Sequence, residues 1–146
     1  MKKTFEVVDG NYGIFEYGPI LEVIFVRKSI CDVYRKAGKR VPSKKYTAII
    51  DTASTFTTVS KAVVKDLGLK TVSTQESGTA AGVETQEVHD PCVIYLLGLK
   101  MEFDIDYPCS LPFVSKDFQI LIGRDLLKRG KFLYDGSKNL FQLDLI

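Results

Sequence analysis

The segment TAIIDTASTFTTVS, Thr47 to Ser60, places one carboxylate between an apolar stretch and a run of small hydroxyl residues. A carboxylate at the end of an apolar strand is costly unless hydrogen bonds surround it. One interpretation is that Asp51 closes a strand and accepts backbone N–H bonds in an Asx or ST turn. The other is that the chain holds Asp51 for chemistry, because Thr52 followed by the small Ala53 forms a tight turn that presents a carboxylate and hydrogen-bonds it from beneath.

Other sets of reactive side chains are poorly represented. His89 is the only histidine, and we expect it to be an exposed loop residue before Asp90 and Pro91. No serine lies in a nucleophile-elbow pattern, which disfavours a serine or cysteine hydrolase. His89 and Cys92 are too few for a zinc site, and no glycine-rich phosphate loop is present. We therefore expect no metal and no cofactor.

The elements that must position Asp51 are mostly strands. Apolar, aromatic and β-branched residues predict eight of them, at 4–8, 20–26, 46–50, 92–97, 101–107, 118–122, 131–135 and 140–146. The sequence GSKN predicts a hairpin turn between the last two. One short helix begins after Ser60 and ends at Gly68, and a shorter one, RDLLKRG, ends at Gly130. The predicted fold class is all-β, a small barrel or sandwich with one or two short helices.

Length and charge narrow the class further. The 146 residues are 45% hydrophobic, which fits one domain spanning 1–146. The net charge of +2 favours neither nucleic acid nor a membrane surface as a partner, and the apolar runs are too short to span a bilayer. The start lacks the apolar core of a signal peptide, and three unevenly spaced cysteines indicate free thiols, so a cytoplasmic location is expected.

Three motifs in order resemble the retropepsin group of aspartic proteases, the retroviral proteases and their single-lobe relatives. These are AIIDTAS, then VSKAVVKDLGLK, and much later FQILIGRDLL, together covering roughly residues 46 to 143. The resemblance implies a closed small barrel that acts as a homodimer. It implies that Asp51 is the catalytic carboxylate, supported by Thr52, Ala53 and Ser54. The Thr52 hydroxyl would bond the backbone of the opposite subunit.

The resemblance also assigns roles outside the acidic turn. It places a substrate-binding flap at 77–85, with Thr79, Ala80, Ala81, Gly82 and Val83 around a tip that flexes over a peptide. The competing interpretation of that segment is a surface turn. The family gives structural roles to Gly123, Arg124 and Asp125: a tight junction, a tie to the active-site loop and a helix N-terminal acid.

The chain departs from the family pattern at three places. Ala53 stands where the family has Gly, and the extra methyl group could narrow the site or shift the loop. Retroviral members carry an acid soon after the triplet that pairs with the arginine, whereas STFTTV has none, so Arg124 needs another partner. The basic segment 34–45 is an insertion relative to minimal members, predicted to be an exposed loop.

One acidic motif per chain implies two chains. Peptide hydrolysis without a metal or covalent nucleophile uses two carboxylates about 3 Å apart that share one proton. No other aspartate has the hydroxyl-plus-small sequel, so a two-fold homodimer is needed to pair both copies of Asp51. The C-terminal strand is either a dimer contact or an ordinary sheet strand. The function is then an aspartic endopeptidase acting on extended peptides, or alternatively a non-catalytic dimerisation or peptide-binding module of the same fold.

Overall fold

A computed structural model of the chain describes residues 2–6, 13–79 and 82–146. The strands are β1 Lys2–Glu6, β2 Ile20–Arg27, β3 Lys45–Ile50, β4 Thr58–Ser60, β5 Thr71–Thr79, β6 Gly82–His89, β7 Cys92–Leu96, β8 Met101–Ile105, β9 Cys109–Leu111, β10 Ile120–Ile122, β11 Gly130–Asp135 and β12 Leu140–Leu145. The helices are α1 Gly13–Tyr17, α2 Lys28–Lys36, α3 Lys61–Leu67 and α4 Arg124–Leu127, with a 3₁₀ turn at Gly136–Lys138. The mainly β composition predicted from the sequence is confirmed.

The described strands form two sheets. Nine strands are ordered β5-β6-β9-β4-β10-β3-β2-β7-β8, and three are ordered β1-β12-β11. The larger sheet has open ends at β5 and β8, so the described strands do not form the closed barrel that the resemblance implied. No helix in the described ranges combines the length and the apolar character that a membrane crossing requires.

The core lies under the centre of the larger sheet, where side chains alternate between a buried and a less buried face. In β3, Tyr46, Ala48 and Ile50 are buried, and in β10 so are Ile120 and Ile122. This period of two is what a strand with one packed face requires. Each large aliphatic side chain buried in this way contributes about 1.5–3 kcal/mol.

Strands β3, β10 and β4 bring distant segments to one edge of the sheet. β3 and β10 are parallel, with Ile50 opposite Ile122, and β4 pairs antiparallel on the other side of β10. Because parallel strands end at the same edge, the residues after each emerge side by side. Asp51 and Gly123 are those residues.

The two helices expected from the sequence are present, and one ends earlier than predicted. The Ser60 hydroxyl accepts a hydrogen bond from the Val63 N–H at 3.4 Å, and Gly68 ends α3 with φ of 61°. Helix α4 ends at Leu127 instead of Gly130, which belongs to β11. A Cβ at Gly130 would overlap the carbonyl oxygen of Asp144 on the paired strand, so this glycine allows close strand approach.

Two further helices, α1 and α2, were not predicted. Helix α2 covers the first part of the basic segment 34–45, where the sequence indicated a loop. This helix is amphipathic, and Cys31 on its inner face is buried against the sheet. On the outer face, the Arg35 guanidinium binds the Glu102 carboxylate of β8 in a bidentate pair at 2.6 and 2.9 Å. The remainder of the segment, up to Lys44, is a loop as expected.

The C-terminal strand lies inside the smaller sheet. β12 pairs with β1 on one side and with β11 on the other, and Phe141, Leu143 and Leu145 are fully buried. The rings of Phe5 and Phe141 stack with centroids 4.9 Å apart. Within the described chain both backbone edges of β12 are therefore paired, as in an ordinary sheet strand.

Candidate active site

Asp51 is held by its own turn at the end of β3. Its backbone N–H donates to the Ile122 carbonyl at 2.9 Å, which fixes the residue beside β10. Its Oδ1 accepts the Ala53 N–H at 3.0 Å, and its Oδ2 accepts the Ser54 hydroxyl at 2.7 Å. The side chain is only partly buried, and Thr52 and Ala53 beside it are exposed. The turn therefore presents the carboxylate at the surface while supporting it from one side.

The carboxylate retains capacity for further partners. An ionised carboxylate offers about four lone-pair sites, and two are used by Ala53 and Ser54. Within the described residues no lysine, arginine or histidine forms an ion pair with Asp51. A carboxylate kept without a countercation at an exposed turn can bind water or a second acid.

Arg124 connects α4 to the Asp51 turn. Its guanidinium donates to the Thr52 carbonyl at 2.8 Å and to the Thr55 hydroxyl at 3.0 Å. Its backbone N–H donates to the Ser54 carbonyl at 2.9 Å. The side-chain partners of Arg124 are therefore a neutral carbonyl and a hydroxyl, in place of the acid that retroviral members have after the triplet.

Asp125 and Gly123 secure the far end of the same loop. The Asp125 carboxylate accepts both the Thr57 N–H at 2.9 Å and the Thr57 hydroxyl at 2.8 Å. Gly123 has an ordinary φ of −94°, yet a Cβ there would lie 2.6 Å from the Phe56 carbonyl carbon. Glycine is needed here for close backbone contact and not for an unusual conformation. Thr57 was not identified as a site residue from the sequence, where its only signal was its place in the run of serines and threonines after Asp51.

Ala53 occupies its position without backbone strain. Among the described non-glycine residues only Lys100 and Asn139 have positive φ. Ala53 therefore has a conformation that any residue adopts, and its side chain is exposed instead of pressing on a neighbour. The substitution of the family glycine is compatible with the hydrogen bond from the Ala53 N–H to Asp51.

The segment predicted to be a flap lies in a long antiparallel hairpin. β5 and β6 pair from Thr71 opposite His89 to Thr79 opposite Gly82. Val83 is exposed on this hairpin, while Ala80 and Ala81 lie outside the described residues. These two strands were not predicted because TVSTQESGT and GVETQEVH do not alternate apolar with polar residues. Strand β5 does not need that pattern, because it is the outermost strand of the sheet.

A cavity of about 100 Å³, partly open to solvent, lies between this hairpin and the Asp51 loop. The loop side includes Ser54 and Thr55, and the hairpin side includes Gln75, Ser77 and Gln86. Since Ser54 also donates to Asp51, the cavity is next to the carboxylate. Gln75 and Gln86 were not identified from the sequence. They lie opposite each other in the middle of the hairpin, which can be seen only once the pairing of β5 and β6 is known.

The expectation that His89 is an exposed loop residue was wrong. His89 is the last residue of β6 and fully buried, with its Nε2 2.7 Å from the Ser110 hydroxyl. Lys61 Nζ donates to the same hydroxyl at 3.0 Å and to the Glu87 carboxylate. The His89 Nδ1 has no hydrogen-bond partner among the described residues, and burial lowers the His89 pKa. Both Ser110 and His89 are sealed from solvent, so this cluster is structural.

Solved structures of two proteases and of a protease-like domain are similar to this chain. No protein-family model matches it, and no curated protein matches it. The Simian Foamy Virus (mac) protease is 21% identical, with a TM-score of 0.42 over 73% of this chain and 88% of that one. A retropepsin-like aspartic protease from Rickettsia conorii is 18% identical, with a TM-score of 0.46 over 85% and 90%. The retroviral protease-like domain of Ddi1 from Leishmania major is 19% identical, with a TM-score of 0.45 over 88% and 90%. These neighbours belong to the group that the sequence motifs resemble, and their likeness to this chain concerns the fold.

Proposed function

We propose that this chain is one half of an aspartic endopeptidase, in which two copies of Asp51 meet across a homodimer. The observation that carries the proposal is the Asp51 carboxylate. It is partly exposed at the end of β3, supported by Ala53 and Ser54, and free of ion pairs within the described residues. A turn that only capped a strand would not require the Arg124 and Asp125 contacts that hold both ends of its loop.

The chemistry follows from what one carboxylate lacks. Two carboxylates about 3 Å apart share one proton, so the charged one draws a proton from water while the protonated one hydrogen-bonds the scissile carbonyl. The water oxygen then bonds to the carbonyl carbon, and the leaving nitrogen receives a proton as the C–N bond breaks. The pair titrates as a unit, and we expect activity at mildly acidic pH.

The dimer contact must use surfaces other than the C-terminal strand. β12 has both edges paired inside the chain, so a two-fold axis near Asp51 is expected to involve the Asp51 turn and its exposed neighbours Thr52 and Ala53. Thr52 is exposed on that turn, and its hydroxyl is suited to bond the backbone of the second copy. The β5–β6 hairpin would then close over a peptide from the opposite side of the cavity.

The alternative function is peptide binding without hydrolysis. It is favoured by one observation: β5 is an end strand of the nine-stranded sheet, so an extended peptide can pair with its open edge. In that case Ala53 marks a site that has lost its reaction. Binding of peptides that is unchanged in Asp51→Asn, with no products formed, would favour this function over the protease.

The primary test compares Asp51→Asn with the matched control Asp32→Asn, which changes an exposed aspartate on α2. We expect Asp51→Asn to lose peptide cleavage by about 10⁴-fold or more and the control to keep it. Pepstatin should inhibit the wild-type protein as a transition-state analogue. Undiminished cleavage by Asp51→Asn would rule the proposal out.

A mixing experiment tests whether the two halves cooperate. If wild-type and Asp51→Asn chains re-pair randomly at equal concentration, about one quarter of the dimers keep both acids, so activity falls to about a quarter of that of an all-wild-type sample at the same total concentration. Independent chains would retain half. The same mixture made with Asp32→Asn should keep full activity.

A further inference from the structure

We propose that the cavity beside Asp51 is a subsite for an uncharged carboxamide side chain, Gln or Asn, selected by Gln75 and Gln86. This inference rests on the proposed function, because it names the substrate class of the same site. The starting observation is the cavity itself, about 100 Å³ between the Asp51 loop and the hairpin. A volume of that size has room for several water molecules and therefore for a short polar side chain.

The two glutamines act as one unit. They lie opposite each other on β5 and β6, and the Gln75 Nε2 donates to the Gln86 Oε1 at 3.4 Å. The Gln75 Nε2 also donates to the Cys109 sulfur at 3.3 Å, while the Cys109 thiol donates to the Tyr107 carbonyl. Burial raises the pKa of Cys109 to about 11, so the thiol keeps its proton. These contacts fix which end of the Gln75 amide carries nitrogen.

The hydrogen bonds that remain available define the ligand. A primary amide has two N–H donors and a carbonyl acceptor. Both donors of Gln75 are used, which leaves its Oε1 as an acceptor, and the Oε1 of Gln86 is used, which leaves its Nε2 as a donor. The pair thus offers one acceptor and one donor. A Gln or Asn side chain of a peptide offers the complementary donor and acceptor in one planar group.

Charge and hydrogen bonding disfavour the other classes of side chain. Lys and Arg side chains carry donors only, so they offer no acceptor to the Nε2 of Gln86. Among the described residues that line the cavity, Glu76 is the only charged one, so an acidic side chain would enter next to a like charge and find no cation. An aliphatic side chain would leave buried amide groups without partners, which costs about 1–3 kcal/mol for each group. Gln86 is nearly fully buried, so water compensates such a loss poorly. A neutral hydrogen-bonding side chain is the occupant that satisfies the walls.

The experiment uses a degenerate library of short peptides in two arms. In the first arm the wild-type chain is incubated with the library and the products are sequenced by mass spectrometry. In the second arm the full Asp51→Asn chain is immobilised and the peptides that it captures are sequenced. We expect Gln or Asn to be enriched at one fixed position relative to the cut and among the captured peptides.

Variants of the glutamine pair test the assignment. Gln86→Leu should lower the preference for Gln and Asn about tenfold or more and shift it towards Leu and Met. Gln86→Glu should shift it towards Lys and Arg, because a carboxylate then replaces the amide. The matched control is Gln142→Leu, a glutamine on β12 outside this cavity, which should leave the preference unchanged. If Gln86→Leu fails to unfold cooperatively, Gln86→Glu and Gln75→Leu decide the question.

The two arms separate the failure of the subsite from the failure of the proposed function. Cleavage without a preference for Gln or Asn, or with the same preference in Gln86→Leu, overturns the subsite and leaves the protease standing. Enriched capture of Gln or Asn peptides without cleavage supports the subsite and counts against the protease. Neither cleavage nor selective capture overturns both.

Discussion

At the scale of single residues, Ser54 is the residue whose side chain hydrogen-bonds the Asp51 carboxylate. Its hydroxyl donates to Asp51 Oδ2 at 2.7 Å, and a hydrogen bond to a charged group contributes about 1.5–3 kcal/mol. We therefore expect Ser54→Ala to lower kcat about tenfold or more. Ser54→Thr keeps the hydroxyl and should restore most of the rate. Steady-state kinetics of the two variants checks this, and equal rates in both would show that the hydroxyl does not support the carboxylate.

His89 sets a second residue-scale expectation, for stability. Burial lowers the His89 pKa in the folded chain. Below about pH 6.5 the His89 imidazole is therefore protonated in the unfolded chain while it stays neutral in the folded chain. Stability contributed by neutral His89 is therefore present above about pH 6.5 and is lost as the pH falls towards the folded pKa. Urea unfolding of wild-type and His89→Gln at pH 7 and pH 5 measures this. The variant should lose less stability between the two pH values, and an equal loss would contradict the assignment.

At the scale of elements, the junction between β10 and α4 controls the shape of the Asp51 loop. A Cβ on Gly123 would lie 2.6 Å from a backbone atom of Phe56, and backbone cannot move aside cheaply. We expect Gly123→Ala to lower the free energy of unfolding by about 1–3 kcal/mol and to reduce cleavage. The control is Gly78→Ala, where no atom lies within 4 Å and φ is not positive, with an expected change within about 0.5 kcal/mol. Denaturant unfolding compares them, and equal stabilities would contradict the prediction.

The elements also mark where sequence reasoning succeeds and where it stops. Strands with an apolar face, such as β3 and β10, and the capped helix α3 follow directly from local patterns. The strands β5 and β6 do not, because their polar residues pair at the outside of the sheet and line a cavity instead of filling a core. His89 was misplaced because the following Asp–Pro indicated a turn, whereas the buried position depends on Ser110 of β9, twenty-one residues away. Such contacts are tertiary and leave no local signal.

At the scale of the whole molecule, the acidic motif was identified from the sequence. The homodimer that would complete it was inferred because each chain has one such motif and the reaction needs two. One Asp51 turn per chain is half of a shared-proton pair, and in the smaller sheet both edges of β12 are paired within the described chain. The second copy is therefore expected to meet the first at the exposed side of the Asp51 turn. Dilution should then abolish cleavage more steeply than in proportion to protein concentration, because monomers lack the second acid. Activity per chain that stays constant on dilution while sedimentation reports monomers would contradict this.

The distance between the two Asp51 carboxyl groups in the assembled protein decides whether each chain supplies half of a catalytic acid pair. We expect a crystal structure of the dimer to place them about 3 Å apart on the two-fold axis, with a water or an inhibitor hydroxyl between them. A dimer that buries a different face and leaves the two carboxyl groups far apart would contradict the claim, and so would a chain that stays monomeric at concentrations where it cleaves peptides.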